Sequence, residues 1–344
     1  MIGIRVDAND TIALGHLMRC IAISEQLRKL GKDIIFITSD NFSEDLLKKY
    51  NYKHIVLNYY WKEKDNEIDL LILCLKKNNI TTLIIDSYEI TNKYLVELKK
   101  NTKIIYIDDL NMFEYDVDMI INYTRNIDKL LYIKYIKKNI KCLLGAKYTP
   151  LRREFHGNIN YVKQNISNLL ITTGGTDNYN MCYSIAKKVL EDDKFNNIKV
   201  HIIIGKFFKN KKLLYDLQKN YKDLILHDNV INMASIMNLC DLAISAGGTT
   251  LLELCSCGIA TICFSISDNQ TESVNAWGKD NLMISIGDVR DNINQRINVI
   301  INKLEYLKEN YDIRKKYSDS CKTIVDGRGA LRIAEEIIKI DNCD

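Results

Sequence analysis

Residues 2–31, IGIRVDANDTIALGHLMRCIAISEQLRKLG, decide the class of fold. The short apolar run Ile2–Val6 predicts a buried strand. Apolar residues at helical spacing over His16–Leu30 predict an amphipathic helix, which Gly31 ends. A polar loop that finishes in Gly15 joins the two. A strand that leads through such a loop into a helix is the repeating unit of a parallel α/β sheet.

The same alternation of strand and helix repeats along the chain in two series. The strands predicted in the first series are Ile2–Val6, Ile34–Thr38, His54–Leu57, Thr82–Asp86, Lys103–Asp108 and Met119–Asn122. Those predicted in the second series are Leu169–Thr173, Lys199–Ile204, Leu224–Leu226, Leu242–Ser245, Thr261–Phe264 and Met283–Ile286. Right-handed crossovers place the loops that follow parallel strands at one edge of each sheet, so their polar residues should lie together.

The boundary between the two series lies near Pro150, the single proline of the chain. Pro150 favours an extended or turn conformation before it, and a polar stretch over residues 157–167 follows. We therefore predict an α/β protein with two Rossmann-like domains, residues 1–150 and 160–325, whose parallel sheets face a cleft. Charged amphipathic helices at the end of the chain, the last over 326–344, either cap the second domain or cross back to the first.

The composition is that of a globular protein. Of 344 residues, 47% are hydrophobic and 27% charged, and the net charge of +4 is not clustered as a nucleic-acid surface requires. There is neither a secretory signal nor an apolar run of the ~18 residues that a membrane-spanning helix needs. The ten cysteines lack zinc-ligand spacing and suit a reducing compartment. We expect a cytoplasmic monomer without nucleic-acid partner, integral membrane segment, metal or cofactor.

The loop before the first helix is the strongest candidate for catalysis. Gly15 permits a tight turn, and the free N–H groups of the helix N-terminus suit an anionic ligand such as a diphosphate. A neutral imidazole at His16 can take a proton from water. Asp7, on the same loop, is a candidate to orient that imidazole. The alternative is that His16 is merely exposed or caps the helix.

Three further loops have the residues expected of a nucleotide-binding site. Each follows a predicted strand of the second series, so all three should share one edge of the sheet. Glu253 could accept hydrogen bonds from both ribose hydroxyls, or it could simply favour the helix dipole. A plain strand-to-helix turn and an N-cap at Asn269 are the other structural alternatives. The candidate binding residues are Gly174, Gly175, Thr176, Gly247, Gly248, Thr249, Thr250, Glu253, Asn269 and Gln270.

Several other enzyme classes are excluded by missing motifs. Ser245 lacks the G-x-S-x-G context of a serine hydrolase. The sequence has no H-E-x-x-H, no Walker A motif and no G-x-G-x-x-G after the first strand. The remaining histidines lie in or beside strands or in the linker and are interpreted as structural: His54, His156, His201 and His227.

Taken together, these motifs resemble the UDP-sugar hydrolases of pseudaminic acid biosynthesis and the related spore-coat polysaccharide biosynthesis proteins. The resemblance runs from residue 1 to about 285. In the first series it rests on Arg5, Asp7, Gly15, His16, Arg19, Asp86, Tyr88, Asp108 and Asp109. Further along it rests on Tyr148, Leu151, Arg152, Glu154, Phe155, Gly174–Asp177, Asn269 and Gln270.

The resemblance implies a GT-B fold and a reaction. Water would attack the anomeric carbon of UDP-2,4-diacetamido-2,4,6-trideoxy-β-L-altropyranose with inversion and without a metal. His16 would be the base, and Gly15 and Arg19 would join the substrate-binding residues. A GT-B glycosyltransferase with a sugar or lipid acceptor is the alternative, and a nucleotide-sugar-binding module without turnover is a third possibility. An apolar, basic membrane patch in the first domain would favour a lipid acceptor. The sequence shows no such run, so transfer ranks second.

Overall fold

The structure is a computed structural model that describes residues 1–9, 14–157 and 161–342. It divides into two compact units, Met1–Arg153 with Gly327–Asp344, and Glu154–Asp326. Residues 10–13 of the predicted catalytic loop lie outside the described residues, as do residues 158–160 of the predicted linker and the last two residues, 343 and 344.

Over the described residues, the first unit forms a seven-stranded parallel sheet in the order β3-β2-β1-β4-β5-β6-β7. Its strands are β1 Ile2–Val6, β2 Ile34–Thr38, β3 Lys53–Val56, β4 Thr82–Asp86, β5 Lys103–Ile107, β6 Met119–Asn122 and β7 Lys141–Leu144. Six of these were predicted to within one residue at each end. The edge strand β7 was missed, because only Leu143 of its four residues is fully buried and the hydrophobic signal is correspondingly weak.

The helices of the first unit cover both faces of that sheet. They are α1 Gly15–Lys29, α2 Glu44–Lys49, α3 Ile68–Lys77, α4 Asn92–Lys99, α5 Ile133–Lys137 and, at the end of the chain, α13 Gly329–Asp341. The last helix packs on α1, and Asp341 accepts hydrogen bonds from Lys32 Nζ at 2.8 Å and Thr82 Oγ1 at 2.6 Å. A Cβ atom on Gly329 would lie 2.1 Å from the carbonyl oxygen of Thr149, so the start of α13 approaches the backbone closely.

Within its described residues, the second unit forms a six-stranded parallel sheet in the order β10-β9-β8-β11-β12-β13. Its strands are β8 Asn168–Thr172, β9 Lys199–Ile204, β10 Leu224–Asp228, β11 Leu242–Ala246, β12 Ala260–Ser265 and β13 Ile284–Asp288. Its helices are α6 Met181–Glu191, α7 Lys211–Asn220, α8 Met233–Leu239, α9 Thr249–Cys257, α10 Asp268–Lys279, α11 Ile293–Glu309 and α12 Tyr311–Ile324. The structure thus confirms the predicted α/β class with two parallel sheets.

Each sheet contains a point at which the strand order reverses. In the first unit this point lies between β1 and β4, and in the second it lies between β8 and β11. The connections on its two sides leave in opposite directions, which opens a crevice at the carboxyl edge of the sheet. The loops beside these crevices are the ones that lead to His16, Gly174 and Gly247. The topology therefore places the predicted site loops where α/β sheets usually bind ligands.

The described residues contain no helix that is both long enough and apolar enough to cross a membrane. Within the same ranges, no cluster of three or more His, Cys, Asp or Glu side chains could hold a metal ion. Every cysteine that the structure describes is a free thiol, and all of these are buried except the half-buried Cys142.

A histidine pair makes the stability of the second unit depend on pH. His201 on β9 and His227 on β10 stack with their ring centroids 5.2 Å apart, and 2.9 Å separates His201 Nδ1 from His227 Nε2. Burial first, and then the nearby charge of His227, lowers the pKa of His201 to about 4. An unfolded imidazole has a pKa of ~6.5, so it binds a proton more readily than the buried His201. The second unit therefore has its full free energy of unfolding above that pH and loses part of it as the pH falls toward 4.

We expect the free energy of unfolding of the second unit to decrease by about 1–2 kcal/mol between about pH 7 and about pH 5 because of His201 alone. Urea unfolding followed by Trp277 fluorescence, in a Trp61→Phe background, measures it, since Trp277 is the tryptophan of this unit. The double variant His201→Asn, His227→Asn should flatten this dependence. An equal slope in both proteins would contradict the assignment.

Candidate active site

The site in the first unit is built around a histidine–carboxylate pair. His16, in the first turn of α1, lies with its Nδ1 atom 2.5 Å from Oδ1 of Asp86, the last residue of β4. Arg19 Nη2 also lies 3.1 Å from Nδ1, but it donates to Asp86 Oδ1 at the shorter distance of 2.5 Å. Because a carboxylate only accepts hydrogen bonds, we assign the proton of the imidazole to Nδ1, which then donates to Asp86. This leaves Nε2 as the ring nitrogen that can accept a proton, which is the arrangement a general base requires.

Asp86 is completely buried and stays ionised. Burial by itself would raise the pKa of Asp86, but the charges of Arg19 and His16, with their hydrogen bonds, outweigh it and hold that pKa well below its usual range. Arg19 Nε donates to Oδ2 at 2.6 Å and Arg19 Nη2 donates to Oδ1 at 2.5 Å. This bidentate pair fixes the carboxylate that in turn orients the imidazole.

Arg19 also connects this pair to a second group of polar residues. Its Nη1 atom donates to Asp109 Oδ2 at 2.8 Å and to Tyr123 Oη at 2.6 Å. Tyr88 Oη donates to the same Asp109 oxygen at 2.8 Å. The Tyr88 ring meets the His16 ring edge-on, with their centroids 4.6 Å apart. The imidazole is therefore held by a hydrogen bond on one side and by an aromatic ring on another.

The structure corrects the role predicted for Asp7. Its Oδ1 atom accepts hydrogen bonds from Arg5 Nη1 and from the Ser39 amide, both at 2.7 Å. Its Oδ2 atom forms an ion pair with Lys64. Asp7 therefore forms buried ion pairs with Arg5 and Lys64. The carboxylate that hydrogen-bonds His16 is that of Asp86.

The same residues border a cavity of about 250 Å³ in the first unit. Asp7 and His16 line it together, so both predicted catalytic residues reach the same space although they do not pair. The full lining is Asp7, His16, Trp61, Asp86, Ser87, Tyr88 and Glu89. A cavity with an indole and a phenol beside a histidine–carboxylate pair offers both apolar contact and proton transfer to a small polar ligand.

Only some of these residues could be found from the sequence. Asp86, Tyr88 and Asp109 were noted as part of the family resemblance, but their contacts to His16 and Arg19 were not foreseen. Tyr123 and Trp61 were missed. The only signal in the sequence is their position. Tyr123 is the first residue after β6 and Trp61 lies in the loop after β3, and residues that follow parallel strands gather at one edge of the sheet.

In the second unit, the first predicted binding loop follows β8. Gly174 has a φ of +80°, a conformation that favours glycine, and Gly175 and Thr176 are exposed. Asp177 accepts hydrogen bonds from the amides of Met181 and Cys182 at 2.8 and 2.9 Å and so caps α6. The loop is thereby fixed on the helix, with Gly175 exposed and Gly174 half-buried.

The second binding loop joins β11 to α9. A Cβ atom on Gly247 would lie 2.6 Å from Cγ2 of Val274, so this position accepts only glycine without a shift of α10. Gly248 and Thr249 are exposed and Thr250 is half-buried at the start of α9. The first N–H groups of that helix can bind an anion. Glu253, in the same helix, is half-buried one turn further on.

The third loop follows β12 and opens α10. Gln270 Oε1 accepts a hydrogen bond from the Ile266 amide at 3.0 Å, which fixes the turn. Asn269 is exposed, and its Oδ1 atom accepts from Ser267 Oγ at 2.6 Å. Ser267, and not Asn269, is the residue that precedes the helix, so the N-cap alternative for Asn269 is wrong. All three loops of the second unit follow β8, β11 and β12, which are neighbours in its sheet.

A family model described as Protein of unknown function (DUF354) matches residues 147–327, which is more than half of the chain. The chain belongs to the DUF354 family. The matched region covers the whole of the second unit and therefore includes the three binding loops.

Curated relatives match far more of the chain than the DUF354 model. An uncharacterized protein of Methanocaldococcus jannaschii is 26% identical, over 99% of this chain and 67% of that protein. The spore coat polysaccharide biosynthesis protein SpsG of Bacillus subtilis is 19% identical, over 96% of each. The UDP-2,4-diacetamido-2,4,6-trideoxy-β-L-altropyranose hydrolase of Campylobacter jejuni is 25% identical, over 79% of this chain and 94% of that protein.

Solved structures confirm the GT-B fold. MurG of Acinetobacter baumannii has a TM-score of 0.69 at 12% identity, over 98% of this chain and 99% of that one. The UDP-GlcNAc 2-epimerase of Neisseria meningitidis, solved with UDP-GlcNAc, has a TM-score of 0.66 at 11% identity, over 98% of this chain and 100% of that one. At such identities the likeness defines the fold of this DUF354 member and not its chemistry.

A glycine that the sequence did not single out supports the first binding loop. A Cβ atom on Gly205, the residue after β9, would lie 2.3 Å from the carbonyl oxygen of Gly174 and 2.5 Å from that of Gly175. We expect Gly205→Ala to destabilise the second unit by about 1–3 kcal/mol, because the overlap is with backbone that cannot move freely. The Trp277 fluorescence assay under urea measures this change.

Gly175→Ala is the matched control for that variant. A Cβ atom at Gly175 would meet only Phe207 Cδ2 at 3.9 Å, an ordinary contact. It should therefore unfold close to wild type. Equal loss of stability in both variants would show that the packing of Gly205 against the loop is not what matters.

Proposed function

We propose that the protein is a UDP-sugar hydrolase of polysaccharide biosynthesis, with His16 as the general base. One observation carries the proposal: the hydrogen bond from His16 Nδ1 to the buried, ionised Asp86, at the edge of a cavity in the first unit. This pairing leaves Nε2 to accept a proton from water. The relatives support the substrate class, since the Campylobacter protein is named as a hydrolase of a UDP-linked sugar.

In the proposed reaction, water attacks the anomeric carbon on the face opposite UDP. The bond between that carbon and the β-phosphate oxygen breaks, and its electron pair leaves with UDP. His16 Nε2 takes the proton of the attacking water, so the products are UDP and a free sugar of inverted anomeric configuration. General base assistance of this kind is worth about 10²–10⁴ in rate. Asp86 and Arg19 act through the imidazole as positioning residues.

The nucleotide is assigned to the glycine loops of the second unit. Backbone N–H groups at the start of α9, with the hydroxyls of Thr249 and Thr250, would bind the diphosphate, and the half-buried Glu253 would accept from the ribose hydroxyls. Gly174, Gly175 and Asn269 belong to the same proposed set. As UDP departs, these groups stabilise the negative charge that develops on the β-phosphate.

The sugar proposed is a 2,4-diacetamido-2,4,6-trideoxy hexose, as in pseudaminic acid-type nonulosonate biosynthesis. The support is the similarity to the Campylobacter protein, which is named as a hydrolase of this UDP-linked sugar, together with the motifs around His16, Asp86 and Asp109. The second candidate function is a GT-B glycosyltransferase in which an acceptor hydroxyl replaces water. Exposed aliphatic side chains that lie among lysines on the first unit favour this alternative, because such a surface suits a lipid acceptor.

The test is release of UDP from UDP-2,4-diacetamido-2,4,6-trideoxy-β-L-altropyranose without any acceptor. Proton NMR during the first turnovers should show the free sugar appear as the inverted anomer before mutarotation. Rapid release with inversion supports hydrolysis. Binding of the UDP-sugar without release, followed by release only when an acceptor is added, would contradict hydrolysis and support transfer.

A further inference from the structure

The first unit has an exposed surface that the proposed reaction does not use. Six aliphatic side chains on it are each between 41% and 72% exposed. Exposed lysines lie among them along the chain. We call this surface the apolar–basic patch, and its members are Leu110, Met112, Lys129, Leu130, Leu131, Ile133, Lys134, Ile136 and Lys137.

The aliphatic side chains of residues 129–137 are exposed because the tyrosines of this segment occupy its buried side. A 3₁₀ turn over Lys129–Tyr132 runs directly into α5. Tyr132 and Tyr135 point inward and are almost fully buried, and Tyr132 Oη donates a hydrogen bond to the carboxylate of Asp108. The two tyrosines occupy the side of the segment that packs on the unit. The aliphatic side chains at the remaining positions therefore face solvent.

The loop that contributes Leu110 and Met112 is attached to the same segment. Tyr135 Oη donates to the Phe113 carbonyl at 3.1 Å, and the Met112 amide donates to Tyr115 Oη at 2.8 Å. Tyr115 in turn donates to Asp108 at 2.9 Å. These hydrogen bonds anchor both parts of the patch to one buried carboxylate, so the patch is a defined surface of the first unit.

The loop over residues 108–118, which contributes Leu110 and Met112, contains five acidic side chains and no basic one. Each of the five is buried or paired: Asp108 is buried, and the others lie within ion-pair distance of Arg19, Lys138 or Lys99.

The excess of positive charge lies on the second segment of the patch. Residues 125–138 contain five basic side chains and one acidic one, Asp128, whose carboxylate caps the 3₁₀ turn. Over the described parts of the chain, Lys129, Lys134 and Lys137 take part in no ion pair, whereas Lys138 pairs with Glu114. Exposed aliphatic residues mixed with lysines are the pattern of segments that lie on an anionic bilayer.

We propose that the apolar–basic patch docks the protein on an anionic membrane surface. The lysines would contact lipid phosphates, and the aliphatic side chains would enter the boundary between headgroups and acyl chains. A second copy of the chain fits less well, because an isologous contact would bring two positively charged patches together. The sequence shows no apolar, basic run in the first domain, because the aliphatic residues of the patch alternate with tyrosines and lysines. The exposed surface becomes visible only once the structure shows which of these side chains turn inward.

Membrane docking would bear on the choice of acceptor. Leu110 directly follows Asp109, which holds Arg19 and Tyr88, so the patch and the candidate active site share a loop. A bilayer at the patch would bring lipid-linked hydroxyls to the first unit and would favour the transferase alternative. Docking itself does not depend on whether the enzyme hydrolyses or transfers.

Flotation of the full-length protein with vesicles tests the proposal. We expect binding to vesicles of phosphatidylglycerol and phosphatidylcholine at low salt, little binding to phosphatidylcholine alone, and weakening at high salt. Lys134→Glu with Lys137→Glu should weaken binding roughly tenfold or more. Leu130→Ser with Ile136→Ser should weaken it by a similar factor through loss of the apolar contact, roughly tenfold.

Matched controls come from α3, whose exposed residues lie outside the patch. Lys76→Glu with Lys77→Glu, and separately Leu73→Ser, should bind vesicles like the wild type. All substituted side chains are exposed, and circular dichroism verifies that the variants are folded. The proposal is overturned if the wild type does not float with anionic vesicles, or if patch and control variants bind equally. It is also overturned if sedimentation shows an oligomer in lipid-free buffer that the patch variants abolish.

Discussion

His16→Asn should reduce the rate of UDP release from the UDP-sugar by about 10²–10⁴, because it removes the group placed to take a proton from water while keeping a hydrogen-bonding side chain of similar size. The amide of the introduced asparagine can still donate to Asp86, so the buried carboxylate keeps a partner and the fold should persist. A coupled UDP-release assay measures the rate. Isothermal titration measures UDP affinity, which we expect to remain within about threefold of wild type.

His54→Asn is the matched control for that variant. His54 is a half-buried histidine on β3 of the same unit, 2.7 Å from Thr38 Oγ1 and outside the cavity. It should release UDP at the wild-type rate. If both variants were equally slow, the loss would be a general effect on the unit. If neither were slow, His16 would not be the base.

Arg5→Met should destabilise the first unit by about 3–5 kcal/mol. Arg5 is 1% exposed and donates to Glu67 through Nε and Nη2, both at 2.7 Å, and to Asp7 at 2.7 Å. Burial alone would raise the pKa of Asp7, but the charges of Arg5 and Lys64 hold it well below its usual range. Removal of the guanidinium leaves two buried carboxylates with only Lys64 to balance them.

Hydrogen exchange of the β1 amides along a urea titration measures the loss, because these amides report on the first unit alone. Lys48→Met is the control, since it breaks a solvent-exposed ion pair with Glu44 on α2 and should change nothing measurable. A loss in Arg5→Met no larger than that in Lys48→Met would show that the buried network contributes little. Exchange in the β8 amides should be the same in all three proteins.

The fold was predictable because its strands are short, apolar and buried on both faces. The burial of every residue in β1, β2 and β4 is visible in the sequence as a predominantly apolar run. Right-handed crossovers then place the loops after the parallel strands at one edge of each sheet. The order of the strands was not predicted and comes from the structure. The edge strand β7 was not predicted, because three of its four residues are partly or fully exposed and it therefore lacks a clear apolar run.

The candidate site was predictable only in part. The sequence locates His16 and the glycine loops, because each lies between a strongly periodic strand and helix. It does not show which carboxylate reaches His16. Asp7 is the nearer carboxylate in the sequence, but Arg5 and Lys64 hold it, and Asp86 arrives from β4 only because β4 pairs with β1 in register, Val6 opposite Asp86. The register between two strands that lie so far apart in the sequence is set by tertiary structure, so the sequence alone does not show it.

The apolar–basic patch was missed for a related reason. Its segment has aliphatic, aromatic and basic residues at similar spacings, so the sequence does not decide which of them turn inward. The buried carboxylate of Asp108 determines which side chains turn inward, because it needs hydrogen-bond donors and Tyr115 and Tyr132 supply them. The aliphatic residues are left outside as a consequence.

In the proposed mechanism, water activated by His16 attacks the anomeric carbon. A single turnover in oxygen-18 water, with the products separated and weighed by mass spectrometry, shows which atom the water oxygen joins. We predict that the label appears on C1 of the released sugar and not in UDP, and that His16→Asn incorporates it far more slowly. Label in the β-phosphate of UDP, or no turnover until an acceptor hydroxyl is supplied, would contradict it.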